Sequence, residues 1–508
     1  MLIVLAIVHP HKFQKEYESF WQDPSKSPVV WIGLLFSILG IATSIRQMSK
    51  MPTDFLGHAL SPETFRTKTM QCLVLGKYST AKAYALEALT LHLQSNVLGF
   101  ADSSINLWFL MGIIIRLAMR MGYHRDSRNH SSISPFDGEM RRRLWAVIYQ
   151  LDVLMSFQLG LPSMIPTDYC DTEAPRNLNF SDFSPDTSVL PPSRPSSDHT
   201  SVLYIIAKSQ VLDVFRKIVA HTQSLSPLPL EKTIMLDLEM REAYNNMPQD
   251  LKVMPVNRSF MDTSTVIMKR CSIELLYLKG IIVLHRRYLN RDTLNVKYEK
   301  LRRACLDAAM DILARQADLH QATEPGGQLC DDRWMVSSLM AHDFLLAAMV
   351  VCLELSMHMR TSNGSRNAEF ERLFDALQTS HTIWTSREPD SKEARTAAQA
   401  LELMIRSVQT HNLGKSSASV SPQKTAPFSE DQNLPFAEPM MEMLDGSEDL
   451  DWVSRVLVFP LQHTFLTISR QTALDQYFLN SNGLPLDTYG SEEQGGNHSY
   501  SLGPEWTV

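Results

Sequence analysis

Glycine is scarce in this sequence, 20 of 508 residues, and long apolar-periodic stretches are common. No run of strand length alternates convincingly between apolar and polar positions. These absences argue against a sheet and leave the helix as the building unit. Closely spaced cysteines are missing as well. Cys72, Cys170, Cys271, Cys305, Cys330 and Cys352 lie at least 22 residues apart, whereas zinc sites need pairs such as C-x2-C. Scattered thiols in mostly apolar stretches fit a reducing, intracellular setting. A strong positive balance is also lacking: net charge is −7, not the basic excess of a DNA-binding domain. The negative charge is concentrated at one end. Residues 411–508 hold 13 acidic and 4 basic residues, which leaves the first 410 near +2.

The catalytic signatures are absent too. There is no GxSxG elbow, no Walker loop and no HExxH. His124-Arg125-Asp126 looks like a kinase catalytic loop, but that loop needs Asn five residues after the Asp to hold a metal. Ser131 stands there. His9 and His11 flank a proline, and His124 and His130 are unaccompanied, so they read as hydrogen-bonding groups rather than ligands. The chain therefore reads as no enzyme, with no catalytic residue and no metal ligand.

What is present is long helical periodicity. MLIVLAIV at the start has no basic n-region and no small-residue cleavage pattern, which argues against a signal peptide. Residues 29–45 are an uncharged run of 17, read as a core helix rather than a membrane span. Residues 62–76 and 79–94 read as a helix pair, with Gly76 as a C-cap and Ser79 or Thr80 capping the second. Residues 103–121 are apolar on nearly all sides, which predicts an interior helix ended by Gly122. Residues 127–138 read as a loop, and 139–160 as a helix ended by Gly160. Pro, Ser, Asp and Asn dominate 170–200, a surface excursion. Further helical periods run at about 201–222, 228–246, 262–290, 296–319, 333–359, 367–385 and 391–411. The expected fold class is all-α: a large multi-helix assembly over 1–411. A linker follows at 412–436. Residues 437–452 interleave Met and Leu with acids, as a solvated acidic tail or an acidic activation segment would. Residues 453–508 read as a poorly ordered tail. Within it, VSRVLVFPLQHTFLTISR (453–470) is apolar with no acid, and its ends fit the translation of a retained intron.

Residues 116–143 carry seven arginines against three acids. Arg141, Arg142 and Arg143 form a cluster that could bind phosphate, but Glu139 is close by. Buried arginine must be paired. The expectation is a clamp in which Arg116 or Arg120 pairs with Asp152 or Glu139 across two helices.

RLAMRMGYHRD (116–126) followed by FDGEMRRRLWAVIYQLDVLMSFQLGLPSMI (136–165) and APRNLNFSDF (174–183) resembles the fungal-specific transcription factor domain. This is the helical regulatory region found downstream of a six-cysteine binuclear zinc cluster in fungal regulators. QCLVLGKYSTAKAYALEALTLHL (71–93), LHRRYL (284–289) and HDFLLAAMVVCLEL (342–355) share the likeness, which covers about residues 9 to 411. The positions that carry it are Arg116, Arg120, Gly122, His124, Arg125, Asp126, Glu139, Arg141, Arg142, Arg143, Trp145, Asp152, Gly160 and Pro162. Where the family often has Gly-Arg-Pro, this chain has Gly160-Leu161-Pro162. The spacing of its cysteines does not allow the zinc cluster, so no cofactor is expected in this chain. Either upstream exons are missing or the regulator has no DNA reader of its own.

The resemblance implies a nuclear transcription regulator of pathway genes, such as a biosynthetic gene cluster. Implied partners are the transcription machinery or co-regulators, a second copy of the chain as a homodimer, and a small-molecule effector. DNA would be reached only through a missing module or a partner, and no membrane is expected. The alternative is an effector-binding or scaffold protein that modulates another regulator without contacting DNA.

Overall fold

Three early helices begin in the same way. His9, Ser61 and Ser134 each accept the backbone N–H three residues on, and each is followed by proline. A side-chain acceptor fills an orphan N–H of the first turn, and proline at the first position has no N–H to lose. In the computed structural model these caps open α2 (Pro10–Gln22), α4 (Pro62–Leu75) and α7 (Pro135–Gln158). A short α1 (Val4–Ile7) precedes them, and α3 (Val29–Met48), α5 (Ala85–Val97) and α6 (Ile105–Arg120) lie between. The chain continues through α8 (Leu203–Thr222), α9 (Leu230–Asn245), α10 (Ser264–His285), α11 (Val296–Thr323), α12 (Ser338–Thr361), α13 (Ala368–Arg387) and α14 (Lys392–Thr410). The structure describes residues 4–49, 61–98, 105–224, 229–254, 259, 261–289, 296–336, 338–361, 367–387 and 392–410. Among these there is no strand, so the fold is all-α. The linker expected at 412–436, the acidic segment at 437–452 and the tail at 453–508, including the intron-like 453–470, lie outside the described residues.

In the N-terminal half, α3 packs on α4 and α5, while α7 lies between α6 and α8. In the C-terminal half, α10 is central, packed on α8, α9, α11 and α12; α13 and α14 cover α11 and α12. Two described helices, α3 and residues 340–359 of α12, are long and apolar enough to cross a membrane. The α12 stretch is 83% buried inside the protein, as a core helix is. On α3, Val30, Trp31, Leu34 and Ile41 are buried, while Val29 and Leu39 are exposed.

Three local expectations are corrected. α7 begins at Pro135, not 139, because Ser134 caps it by accepting the Asp137 N–H at 3.0 Å. The helix expected from residue 79 begins at Ala85. Lys77, Ala81 and Tyr84 all have positive φ, which breaks the period. Gly76 is the C-cap of α4, as expected, at φ −73°, and Lys77 takes the left-handed turn. What Gly76 supplies is room, since a Cβ there would stand 2.4 Å from Val30 Cγ2. Finally, α6 is not interior all round, because Phe109, Ile113, Arg116 and Arg120 share one exposed face.

Gly76→Ala is therefore expected to force α3 and α4 apart and destabilise the chain by about 1–3 kcal/mol. Adding Val30→Ala should restore part of the loss in urea unfolding. If the double variant is no better than Gly76→Ala alone, the close approach is not the cause.

Candidate functional site

Gly122, His124, Arg125, Asp126, Glu139, Arg141, Arg142 and Arg143 come together where α6 ends and α7 begins. Gly122, at φ 75°, ends α6. Its N–H donates to the Met119 carbonyl at 2.9 Å, and the Tyr123 N–H donates to Ala118 at 3.0 Å. This left-handed closure terminates helices, and glycine adopts it without strain. Arg141 of α7 donates to the Met121 carbonyl, and its guanidinium lies 4.2 Å from the Tyr123 ring centroid.

Asp126 is fully buried. It takes a two-pronged ion pair from Arg142, with Nε at 2.9 Å and Nη2 at 2.7 Å. It also accepts the backbone N–H of Arg128 at 2.9 Å and of Glu173 at 3.0 Å. Its own N–H donates to Asp171 at 2.8 Å. Arg125 lies 3.8 Å from Asp171, and Arg128 pairs with Glu173, both at the surface. The His124 carbonyl accepts the Asp171 N–H at 3.1 Å. Segment 171–173 is thus tied to the HRD turn through side chain and backbone alike.

One turn back along α7 from Arg142, Glu139 is also fully buried. It accepts Arg143 Nε at 3.0 Å and the Arg176 N–H at 3.2 Å. Arg143 also donates to the Leu178 carbonyl at 2.8 Å, and its guanidinium lies 4.9 and 4.8 Å from the Phe180 and Phe183 rings. His9 joins from the start of α2: its Nε2 is 3.1 Å from the carbonyls of Phe180 and Phe183. The same ring packs edge-on against Phe136. Trp145, on the same helix, is buried. The excursion of 170–200 is therefore a strap, with Leu178 and Phe183 buried against Phe136. Asn177 pins its far end by donating to the Pro195 carbonyl at 2.9 Å and accepting from Thr200 at 2.5 Å.

The expected clamp is not formed. Arg116 is exposed, and Arg120, also exposed, donates to the Ser79 carbonyl at 2.8 Å. Asp152 is buried, but its partners are neutral. It accepts Ser156 and Ser163 hydroxyls at 3.2 and 2.5 Å and the N–H groups of Met164 and Ile165, both at 3.1 Å. Asp152 therefore fixes the turn after α7. Gly160, at φ 66°, makes that turn, with the Leu161 N–H donating to Ser156 at 2.9 Å; Pro162 is exposed beyond it. Sequence reasoning missed Ser134, Asp171, Glu173, Arg176 and Asn177. Of these only Ser134 carried a local signal, the S-P-x-D pattern of a helix start.

Burial pushes the Asp126 carboxyl up, but Arg142 and the two N–H donors outweigh it and hold its pKa well below the ordinary 3.8. Burial likewise pushes Glu139 up, against the pull of Arg143. A carboxylate that stays ionised and spends its lone pairs on four donors is a poor general base. The junction is built to hold elements together. No cluster that could hold a metal occurs among the described residues.

An unfolded Asp takes up its proton near 3.8, the folded Asp126 only at lower pH. Its contribution to stability is thus full above that value and is lost as pH falls through the folded pKa. Asp126→Asn should make stability less steeply dependent on pH below about 4. An unchanged acid limb in urea titrations would remove Asp126 from the acid response.

Residues 3–236 match the fungal specific transcription factor domain. The chain is 40% identical to the Zn(2)-C6 fungal-type transcription factor pigI of Monascus ruber, over 80% of this chain and 51% of that protein. It is 37% identical to the Zn(2)-C6 fungal-type transcription factor mpsB of Macrophomina phaseolina, over 80% and 56%. It is 35% identical to the equisetin cluster transcription factor eqxF of Fusarium heterosporum, over 92% and 68%. The chain thus spans about half the length of the first of these relatives. No solved structure matches it.

Proposed function

Because the chain belongs to the fungal specific transcription factor domain family, we propose that it is the regulatory helical body of a nuclear transcription regulator that controls genes of a biosynthetic cluster. The observation that carries this reading is the match over 92% of the chain to a relative named for the cluster it serves. In this reading the chain is not catalytic; it presents surfaces to co-regulators or the transcription machinery, to a second copy and to an effector. Any zinc cluster and any contact with operator DNA belong to a separate module or a partner. The test is disruption of the gene in its host with transcript profiling. A severalfold fall or rise in one contiguous gene set is expected; an unchanged profile under producing conditions overturns the reading.

A second reading is a scaffold or effector-binding protein that modulates another regulator without touching DNA. One observation favours it: Arg141, Arg142 and Arg143 are all engaged inside the chain. The purified chain is expected to show little sequence-specific DNA binding. Nanomolar, strongly salt-dependent binding to one operator excludes this second reading.

A further inference from the structure

A cleft of about 220 Å³ opens between the start of α8, the turn at 249–251 and the first turns of α10. None of its lining residues belongs to the Asp126–Arg142 or Glu139–Arg143 pairs; Thr200, which bonds Asn177 at the end of the strap, forms part of one wall. Its walls are apolar at Leu203, Leu251 and Val266. At its rim, His199 Nε2 stands 2.9 Å from Asp250 Oδ2, so the cleft's one acid already has a partner. Lys269 has none. No carboxylate pairs with it among the described residues, and its Nζ lies 5.9 Å from the Tyr204 ring centroid. Lys208 approaches the same ring, Nζ at 5.7 Å. Burial lowers the Lys269 pKa, so the ammonium has lost water without gaining a counter-charge. The N-terminal end of the 20-residue α8 adds positive potential beside it.

We propose that this cleft binds a small monocarboxylic acid, with its carboxylate on Lys269 and its apolar body between Leu203, Leu251 and Val266. The volume is below the usual range for drug-sized ligands, which limits the occupant to a small acid or the acid-bearing end of a larger one. One apolar wall set and one unpaired cation select a carboxylate with a hydrocarbon body over a neutral or cationic molecule. The claim stands independently of gene regulation, since binding is measured on the purified chain.

The probe is benzoate, with benzamide as its uncharged counterpart, followed by ligand-observed NMR and calorimetry on the full chain. Benzoate is expected to saturate with a Kd on the order of 1 mM, and benzamide at least tenfold more weakly. Lys269→Met should weaken benzoate at least tenfold while leaving the melting profile of the free chain unchanged. Val266→Trp, which fills the cleft, should abolish binding. If Lys269→Met does not fold, Lys269→Gln and Val266→Trp carry the test. No saturable benzoate binding, equal binding of benzamide, or binding indifferent to both substitutions overturns the proposal.

Discussion

Arg142→Ala is expected to destabilise the chain by about 3–5 kcal/mol, the usual effect of removing one partner of a buried ion pair. It would leave Asp126, fully buried, with two backbone donors and the more distant Arg128 Nε at 3.9 Å. Asp126→Ala should cost more still, because it also strands the N–H groups of Arg128 and Glu173. The double variant should cost less than the two single losses added together. Arg142→Lys keeps the charge but cannot make both contacts of the fork, so it should fall between wild type and Arg142→Ala. A second readout locates the damage. The N–H of Glu173 holds the strap to Asp126, so limited proteolysis of the variants should open first within 166–200. If the cleavage pattern is unchanged and both losses are below about 1 kcal/mol, the pair behaves as a surface ion pair and the junction does not hold the strap.

The helices were legible because burial imposes a period of 3.6, and that period survives without knowledge of contacts. Boundaries were legible where a chemical cap stands, as at Gly122 and Gly160. They were misread where the signal was backbone strain: nothing in KYSTAKAY announces three left-handed residues. The junction was half legible. Arg142, Glu139 and Asp126 were all singled out, yet the partners assigned were wrong. Arg116 and Arg120 share a helix face with Phe109 and Ile113, and an apolar stripe suggests the interior. That face is exposed, so the charges expected to seek a buried acid point outward. Glu139 pairs with Arg143 four residues on, a spacing the helix period does display. Asp126 and Arg142, however, lie 16 residues apart across a turn, and Glu139 and the Arg176 N–H lie 37 apart across the strap. No periodicity links such positions. The strap itself was hidden by its composition. It is rich in proline, serine and aspartate, and its anchors Leu178 and Phe183 follow no repeat because it is neither helix nor strand.

A buried pair outside the junction was invisible for the opposite reason, since its residues lie inside strongly apolar helices where nothing marks them. Lys279 of α10 stands 2.9 Å from Asp343 of α12, with side chains only 7% and 8% exposed. The ammonium also lies 5.7 and 5.5 Å from the rings of Phe157 and Phe215. Burial raises the Asp343 pKa against the pull of Lys279. Such a pair gains little over a packed apolar one but is costly to break. Lys279→Met is therefore expected to lose about 3–5 kcal/mol, and Lys279→Met with Asp343→Leu to return near or above wild type. The pH dependence separates charge from packing. In Lys279→Met the lone Asp343 favours its protonated form, with a folded pKa above the unfolded 3.8. Below 3.8 it is protonated in both states and the deficit is smallest; as pH rises toward neutrality the unfolded chain gains by ionising, and the deficit grows. A deficit that is flat from pH 4 to 8, with no rescue in the double variant, would mean that the loss is one of packing and that the buried pair carries no net electrostatic weight.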